Sequence, residues 1–257
     1  LPPLPEQEKI AEILETVDNA IEKTDKIIEK YKRMKQGLMQ ELLTKGIDSN
    51  WQIRSEKTHK FKDSPLGRIP ADWEVKKLGE VLNYEQPTNY IVKSENYDKQ
   101  TGIPVLTAGK SLILGYTDEK EGIFKDTPVI IFDDFTTESK FINFPFKVKS
   151  SALKILKLRN SENNIYFLYN LLQILNFNPG SEHKRYWISE YSNIIAFLPP
   201  LPEQERIASV LSQIDVVIEK ETAYRDKLSR IKQGLMEDLL TGKVRVTSIL
   251  ENENNQY

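Results

Sequence analysis

The sequence contains no cysteine and has only two histidines, His59 and His183, which lie far apart. These shortages exclude a disulfide framework, a thiolate nucleophile and a cysteine-based zinc site. No run of about 18 apolar residues occurs, so we expect no membrane-spanning segment and a cytoplasmic protein. The formal net charge is −2. The chain therefore lacks the overall basic field that draws many proteins to nucleic acid.

The sequence motifs of common enzymes are absent as well. There is no Walker loop, G-x-S-x-G elbow or HExxH zinc helix, and no glycine-rich loop paired with the N/D-PP-aromatic tetrapeptide of methyltransferases. Asp133, Asp134, Glu138 and Lys140 resemble a metal-nuclease constellation only loosely. Adjacent acids at a strand end are more often turn residues. We expect no catalytic residue, metal or bound cofactor in this chain, and a stand-alone nuclease remains an alternative.

One heptapeptide, LPPLPEQ, occurs at residues 1–7 and again at residues 198–204. The similarity continues without a gap through residues 44 and 241, and 25 of the 44 paired positions are identical. A constant offset over that length indicates a duplicated module, which determines how the whole fold is interpreted.

Each copy predicts one long helix. Pro5 and Pro202 suit the first helical turn, and Gly46 and Gly242 suit a C-terminal cap. The predicted length is about 37 residues, or roughly 55 Å. Seam positions alternate by steps of four and three, which is typical of a heptad repeat. The residues that we expect to pack between helices are Ile10, Leu14, Val17, Ile21 and Leu38 in the first copy, and Ile207, Leu211, Ile214, Ile218 and Leu235 in the second.

Each long helix has an apolar stripe and therefore needs another helix to pack against. The domain between the copies can return the chain to its starting point. We therefore predict that the two helices pair with each other as an antiparallel coiled coil. Pairing of each helix with another chain is the alternative. The middle of the second seam is polar, at Glu221 and Arg225, and such positions can define register and partner. The heptapeptide could instead be a PxxP ligand, but its place at a helix start already accounts for its prolines.

The residues between the repeats predict a mixed domain, which makes the fold class α+β. Residues 104–109, 128–135, 141–151 and 152–158 have the composition of strands. A buried helix capped by Ser161 is predicted over 162–176, and a last strand ends at 197. We divide the chain into a first spacer helix (1–45), a linker (46–70), the mixed domain (71–197), a second spacer helix (198–245) and a tail (246–257).

Polar clusters in this domain suit DNA binding, because hydroxyl and cationic side chains contact phosphates and base edges. Each cluster alone could be an ordinary polar loop. Lysines, arginines and acidic residues balance across the domain, so discrimination would come from well-placed groups more than from net charge. The candidate contacts are Thr107, Lys110, Ser111, Thr136, Thr137, Ser139, Lys140, Lys184, Arg185, Tyr186 and Trp187.

The two repeats and the two ends of the mixed domain resemble segments of the specificity (S) subunits of type I restriction–modification systems. The resemblance lies in LPPLPEQ followed by a long helix, in KQGLM and in a final LLTKG or LLTGK. SPLGRIPADWEVKKLGEV (64–81) is similar to the beginning of a target recognition domain of that family, and HKRYWISEYSNIIAF (183–197) is similar to its end.

The resemblance implies a non-catalytic protein that recognises a short DNA half-site. It also implies partners: a methyltransferase (M) subunit carrying S-adenosylmethionine and a restriction (R) subunit using ATP and Mg²⁺. The helices would then set the distance between two recognition domains. A related methyltransferase–nuclease system, or a coiled-coil scaffold that binds protein, are the other interpretations.

One departure from the family pattern is large. The usual order is recognition domain, helix, recognition domain, helix, whereas this sequence has helix, domain, helix and begins at Leu1. We therefore expect a fragment, a truncated reading frame, or a half-subunit that can dimerise with itself.

Overall fold

The computed structural model describes residues 1–65, 67–94, 96–98, 101–108, 112–175 and 186–248. Its helices are α1 (Leu4–Leu42), α2 (Leu78–Val81), α3 (Ile165–Ile174), α4 (Tyr186–Ser189) and α5 (Leu201–Leu240), with 3-10 turns at Pro87–Tyr90 and Tyr191–Asn193. Its strands are β1 (Phe61–Ser64), β2 (Gly67–Pro70), β3 (Glu74–Lys77), β4 (Leu82–Glu85), β5 (Ile103–Leu106), β6 (Ile113–Thr117), β7 (Val129–Asp133), β8 (Ser139–Ile142), β9 (Lys147–Val148), β10 (Leu153–Leu158) and β11 (Ile195–Leu198).

The chain divides into two compact units. The first contains the described residues of Leu1–Leu38 and Leu211–Tyr257, and the second contains Met39–Val210. None of the helices in the described ranges is both long enough and apolar enough to cross a bilayer.

The long helices that the repeats predict are confirmed. α1 has 39 residues and α5 has 40, close to the predicted 37. Every predicted seam position of both helices is buried or half-buried, as expected for an apolar stripe that packs against a partner. Gly46 and Gly242 both have φ +74°, the left-handed conformation that glycine adopts readily just beyond a helix.

In the first unit, ion pairs join α1 to α5 in antiparallel order. Asp18 pairs with Lys232 at 2.6 Å, Asp25 with Arg225 at 3.5 Å, and Lys35 with Asp215 at 2.6 Å, so partner numbers fall on α5 as they rise on α1. The cationic side chains of Lys35, Arg225 and Lys232 are thus paired with acids of the other helix. At one end, Ile10, Leu239 and Val246 form a small buried cluster.

The glutamate of the first LPPLPEQ copy also belongs to this unit. Glu6 accepts two hydrogen bonds from Arg245, at 2.6 and 2.7 Å, and one from the backbone N–H of Val246 at 3.4 Å. The Arg245 guanidinium lowers the pKa of this carboxyl. The residues that bind Glu6 follow the C-terminus of α5, so the motif does more than begin a helix.

In the second unit the matching glutamate is bound in the same way. Glu203 accepts from the backbone N–H of Ile47 at 2.9 Å, from Arg54 at 2.6 Å and from the indole N–H of Trp73 at 3.4 Å. Ile47 and Arg54 follow the C-terminus of α1. Burial raises the pKa of the Glu203 carboxyl, although Arg54 acts in the opposite direction.

The described strands of the second unit form one larger sheet and three smaller ones. The larger sheet has the order β4-β10-β7-β8 and is antiparallel throughout. A three-stranded sheet, β6-β5-β9, contains one parallel pair, β5 with β9. β1 pairs with β2, and β3 pairs with β11. The strand β7, VIIFD, is buried at every position, which explains its unbroken apolar run.

Two details of the predicted domain were wrong, and the segment predicted as a linker contains regular structure. The predicted strand over 141–151 is two separate strands, β8 and β9, because Pro145, which has no N–H to donate to a strand ladder, lies between them. The predicted helix over 162–176 is shorter and begins after Asn164, whose side chain, rather than that of Ser161, accepts from the Phe167 N–H at 2.9 Å. The predicted linker contains the hairpin β1–β2.

Candidate nucleic-acid interface

The larger sheet brings together two chain segments that are distant in sequence. β4 and β7 are both antiparallel to β10, so both end at the edge where β10 begins. Gln86 directly follows β4, and the turn 133–137 follows β7 at the same edge. Loops at one edge of a sheet are a common place for binding residues, because the strands hold them in position.

The three-stranded sheet, β6-β5-β9, brings a third segment to this edge. β5 and β9 run parallel, so Thr107 and Lys149 leave the sheet at the same end, where the Lys149 N–H donates to the Leu106 carbonyl at 2.8 Å. From Lys149 the chain continues into the start of β10. The Asp134 N–H contacts the Ala152 carbonyl there at 3.3 Å.

Asp133 shapes the turn that follows β7. Its carboxylate accepts from the Phe135 N–H at 3.0 Å and from the Thr136 hydroxyl at 2.7 Å. Thr137 has φ +63°, an unusual conformation for a residue that is not glycine, and its N–H donates to the Asp133 carbonyl at 2.9 Å. These bonds give the carboxylate the structural role that paired acids at a strand end usually have.

Asp134 points the other way, into the domain. One carboxylate oxygen accepts from the Trp187 N–H at 2.8 Å, and the Lys154 ammonium lies 3.3 Å from the other oxygen. Asp134 and Lys154 are both almost fully buried. Among the described residues, no group of three or more acidic or histidine side chains could hold a metal ion.

The structure separates the predicted DNA contacts into exposed and buried groups. Thr136 and Lys140 are exposed, and Thr107 and Thr137 are half-buried. Ser139 is buried and accepts from the Gln173 side chain at 2.7 Å. Lys110, Ser111, Lys184 and Arg185 lie outside the described residues.

The two predicted aromatic contacts are interior residues. Tyr186 and Trp187 are 4% and 2% exposed, and the Trp187 ring packs against that of Phe132 with centroids 5.5 Å apart. Rings buried in this way have no free face for a base, which argues against stacking on DNA. Tyr191 packs on the same Phe132 ring, and burial raises the pKa of its hydroxyl.

Three residues of this edge were not predicted from the sequence. Phe135 has 51% of its surface exposed, although the sequence placed it within a strand. Gln86 and Lys154 are joined by a hydrogen bond of 2.9 Å. The polar run DDFTTESK (133–140), in which Phe135 is the one apolar residue, could have identified Phe135 as a loop residue. No local signal could have paired residues 86 and 154, because their contact depends on the register of β4 and β10.

Residues 70–230 match the family model described as the type I restriction modification DNA specificity domain. The chain is 40% identical over 207 residues to the type I restriction enzyme EcoR124I/EcoR124II specificity subunit of Escherichia coli, an alignment that covers 72% of this chain and 50% of that protein. It is 30% identical over 286 residues to the type I restriction enzyme MjaVIII specificity subunit of Methanocaldococcus jannaschii, covering 97% and 62%.

A solved structure has the same fold. The type I restriction–modification S subunit of M. genitalium superposes with a TM-score of 0.64 at 16% identity, covering 92% of this chain and 61% of that one. The chain thus spans between half and two thirds of the length of these curated relatives.

Proposed function

Since the chain belongs to the type I restriction–modification DNA specificity family, we propose that it recognises a short DNA half-site for a restriction–modification complex. The observation that carries this proposal is the edge of the second unit where β4, β5, β7 and β9 end. Polar side chains from three segments, Gln86, Asp134 and Ser150–Ser151, line one cavity there together with the exposed Phe135. An edge of this kind can present donors, acceptors and an apolar contact to base pairs.

The role that we propose for this chain is binding and not catalysis. Asp133 and Asp134 have partners within the fold, which supports a structural role for both. We therefore propose that catalysis belongs to partner subunits: a methyltransferase subunit with S-adenosylmethionine, and a restriction subunit with ATP and Mg²⁺.

The two long helices are proposed to form an antiparallel coiled coil that acts as a spacer. The buried seam and the three ion pairs between α1 and α5 support this arrangement. Several large apolar side chains on the helices remain exposed in this chain, and they suit docking of the methyltransferase subunit or of a second copy. They are Ile27, Met34, Val216, Tyr224, Ile231, Met236 and Leu240.

The experiment that tests this function uses the full chain with its methyltransferase subunit and a pool of random DNA. Sequencing the methylated molecules should show a short preferred half-site. A complex that methylates every sequence equally would contradict recognition, and a chain that binds the methyltransferase but no DNA would favour the scaffold interpretation.

A pair of lysines makes the test specific to the proposed edge. Lys140 is exposed on β8, which follows the turn at this edge, whereas Lys125 is exposed before β7, at the opposite end of that strand. We expect Lys140→Ala to weaken DNA binding on all sequences and to reduce the slope of log K against log salt by about one. Lys125→Ala should change neither quantity. Equal effects of the two substitutions would place the DNA elsewhere on the domain.

A further inference from the structure

A small cavity opens at the proposed DNA-binding edge. Its volume is about 230 Å³, and its lining includes Gln86, Phe135, Ser150 and Ser151 together with the buried pair Asp134 and Lys154. The lining therefore combines an amide, two hydroxyls and an exposed aromatic ring above a buried ion pair.

The ion pair beneath the cavity is poorly explained by stability alone. Asp134 is 1% exposed and Lys154 is 2% exposed, and taking two charges out of water costs about as much as their attraction returns. One Asp134 oxygen accepts from the Trp187 N–H, but the other makes no hydrogen bond. A buried pair that contributes little stability can still hold a neighbouring group in place.

The group that this pair holds is the side chain of Gln86. Lys154 donates to Gln86 Oε1 at 2.9 Å, and an ammonium group can only donate. The carboxamide oxygen must therefore face Lys154, and the NH₂ group must face away from it. No hydrogen bond from this NH₂ group is found among the described residues, so two donors are available in one orientation.

We infer that Gln86 is a base-reading residue of this edge, and that it recognises a base whose major-groove edge offers a hydrogen-bond acceptor. This inference rests on the proposed function. Guanine, adenine and thymine all present such an acceptor, whereas cytosine presents only its N4 amino donor. Lys154 and Asp134 are positioning residues, because they act through the amide. Phe135, at the rim of the cavity, supplies an apolar contact to the neighbouring base or to a thymine methyl group.

The inference predicts a change of preferred base rather than a simple loss of binding. Gln86→Glu has nearly the same shape and retains an oxygen for Lys154, but it replaces the outward donor with an acceptor. A carboxylate accepts from cytosine N4, so the variant should accept cytosine at one position where the wild type rejects it. From the usual energy of one base contact, we expect the preference against cytosine there to fall about tenfold or more.

The control is matched in position and in charge. Asn83 lies on β4, three residues before Gln86, with an exposed side chain, and Asn83→Asp makes the same change from amide to carboxylate. The full chain with its methyltransferase subunit would be given random DNA, and the methylated pool sequenced. We expect Asn83→Asp to keep the wild-type preference at every position and Gln86→Glu to change it at one.

The outcomes separate this inference from the proposed function. If wild type selects a site and Gln86→Glu selects the identical site, the inference about Gln86 is wrong and the proposed function stands. If wild type selects no sequence, the proposed function itself fails. Should Gln86→Glu not fold, Gln86→Met takes its place: preference at that one position should disappear, and its persistence would overturn the inference.

Discussion

If the helices are a spacer, shortening both of them should shorten the gap between recognised half-sites. α1 contains 39 residues, which is about 58 Å, or about 17 base pairs at ~3.4 Å each. The change must keep the two helices in register. Deleting residues 18–24 of α1 together with 226–232 of α5 does this, because the ion pair of Asp18 with Lys232 is removed as a unit.

The size of the effect follows from the geometry. One heptad is about 10.5 Å of helix, equivalent to about three base pairs, and it keeps the apolar seam on nearly the same face. Three base pairs also rotate one half-site by roughly a third of a turn around the DNA, at about 10.5 base pairs per turn. We therefore expect a gap about three base pairs shorter, or loss of methylation where the domains cannot reach both half-sites.

The assay is methylation of DNA libraries in which the gap between half-sites varies. Two further variants make this methylation assay more specific. Inserting three heptads in each helix adds about 31.5 Å, close to one turn of DNA, so we expect activity on a gap about nine base pairs longer. Deleting 18–24 alone breaks the register and should destabilise the chain. A folded, active double deletion that prefers the unchanged gap would refute the spacer.

Two further predictions concern the ends of the helices. Gly46 and Gly242 share the same φ, but a Cβ on Gly46 would overlap the Glu203 carboxylate and lie 2.6 Å from the Trp73 ring, whereas a Cβ on Gly242 meets nothing within 4 Å. Gly242→Ala should therefore cost only about 1–2 kcal/mol of conformational strain, and Gly46→Ala clearly more, measured by urea denaturation; equal losses would contradict the tight packing at Gly46. The raised pKa of Glu203 means that its contribution to the free energy of unfolding is full below the ordinary value of 4.5 and is lost as the pH rises through the raised pKa. Wild type should accordingly lose stability relative to Glu203→Gln between pH 4.5 and neutrality, and a constant difference across that range would show that the pKa is not raised.

Sequence reasoning predicted the elements whose signals are local. The helices follow from a heptad spacing such as that of Ile10, Leu14 and Val17, and their ends from Pro5 and Gly46, since each signal acts within a few residues. β7 follows from its apolar run. The position of Trp187 could not be predicted in this way. A tryptophan beside Arg185 and Tyr186 suggests a surface contact, but packing against Phe132 places it in the interior.

The duplicated module, its two long helices and the similarity to the family can be derived from the order of the amino acids, because repeats and periodicity are written along the chain. Only the folded chain shows that the Glu6 and Glu203 carboxylates are bound by residues beyond the ends of helices, and that Lys154 orients Gln86. These contacts join residues between 68 and 239 positions apart. Strand register and helix pairing bring such residues together, and no local spacing encodes them.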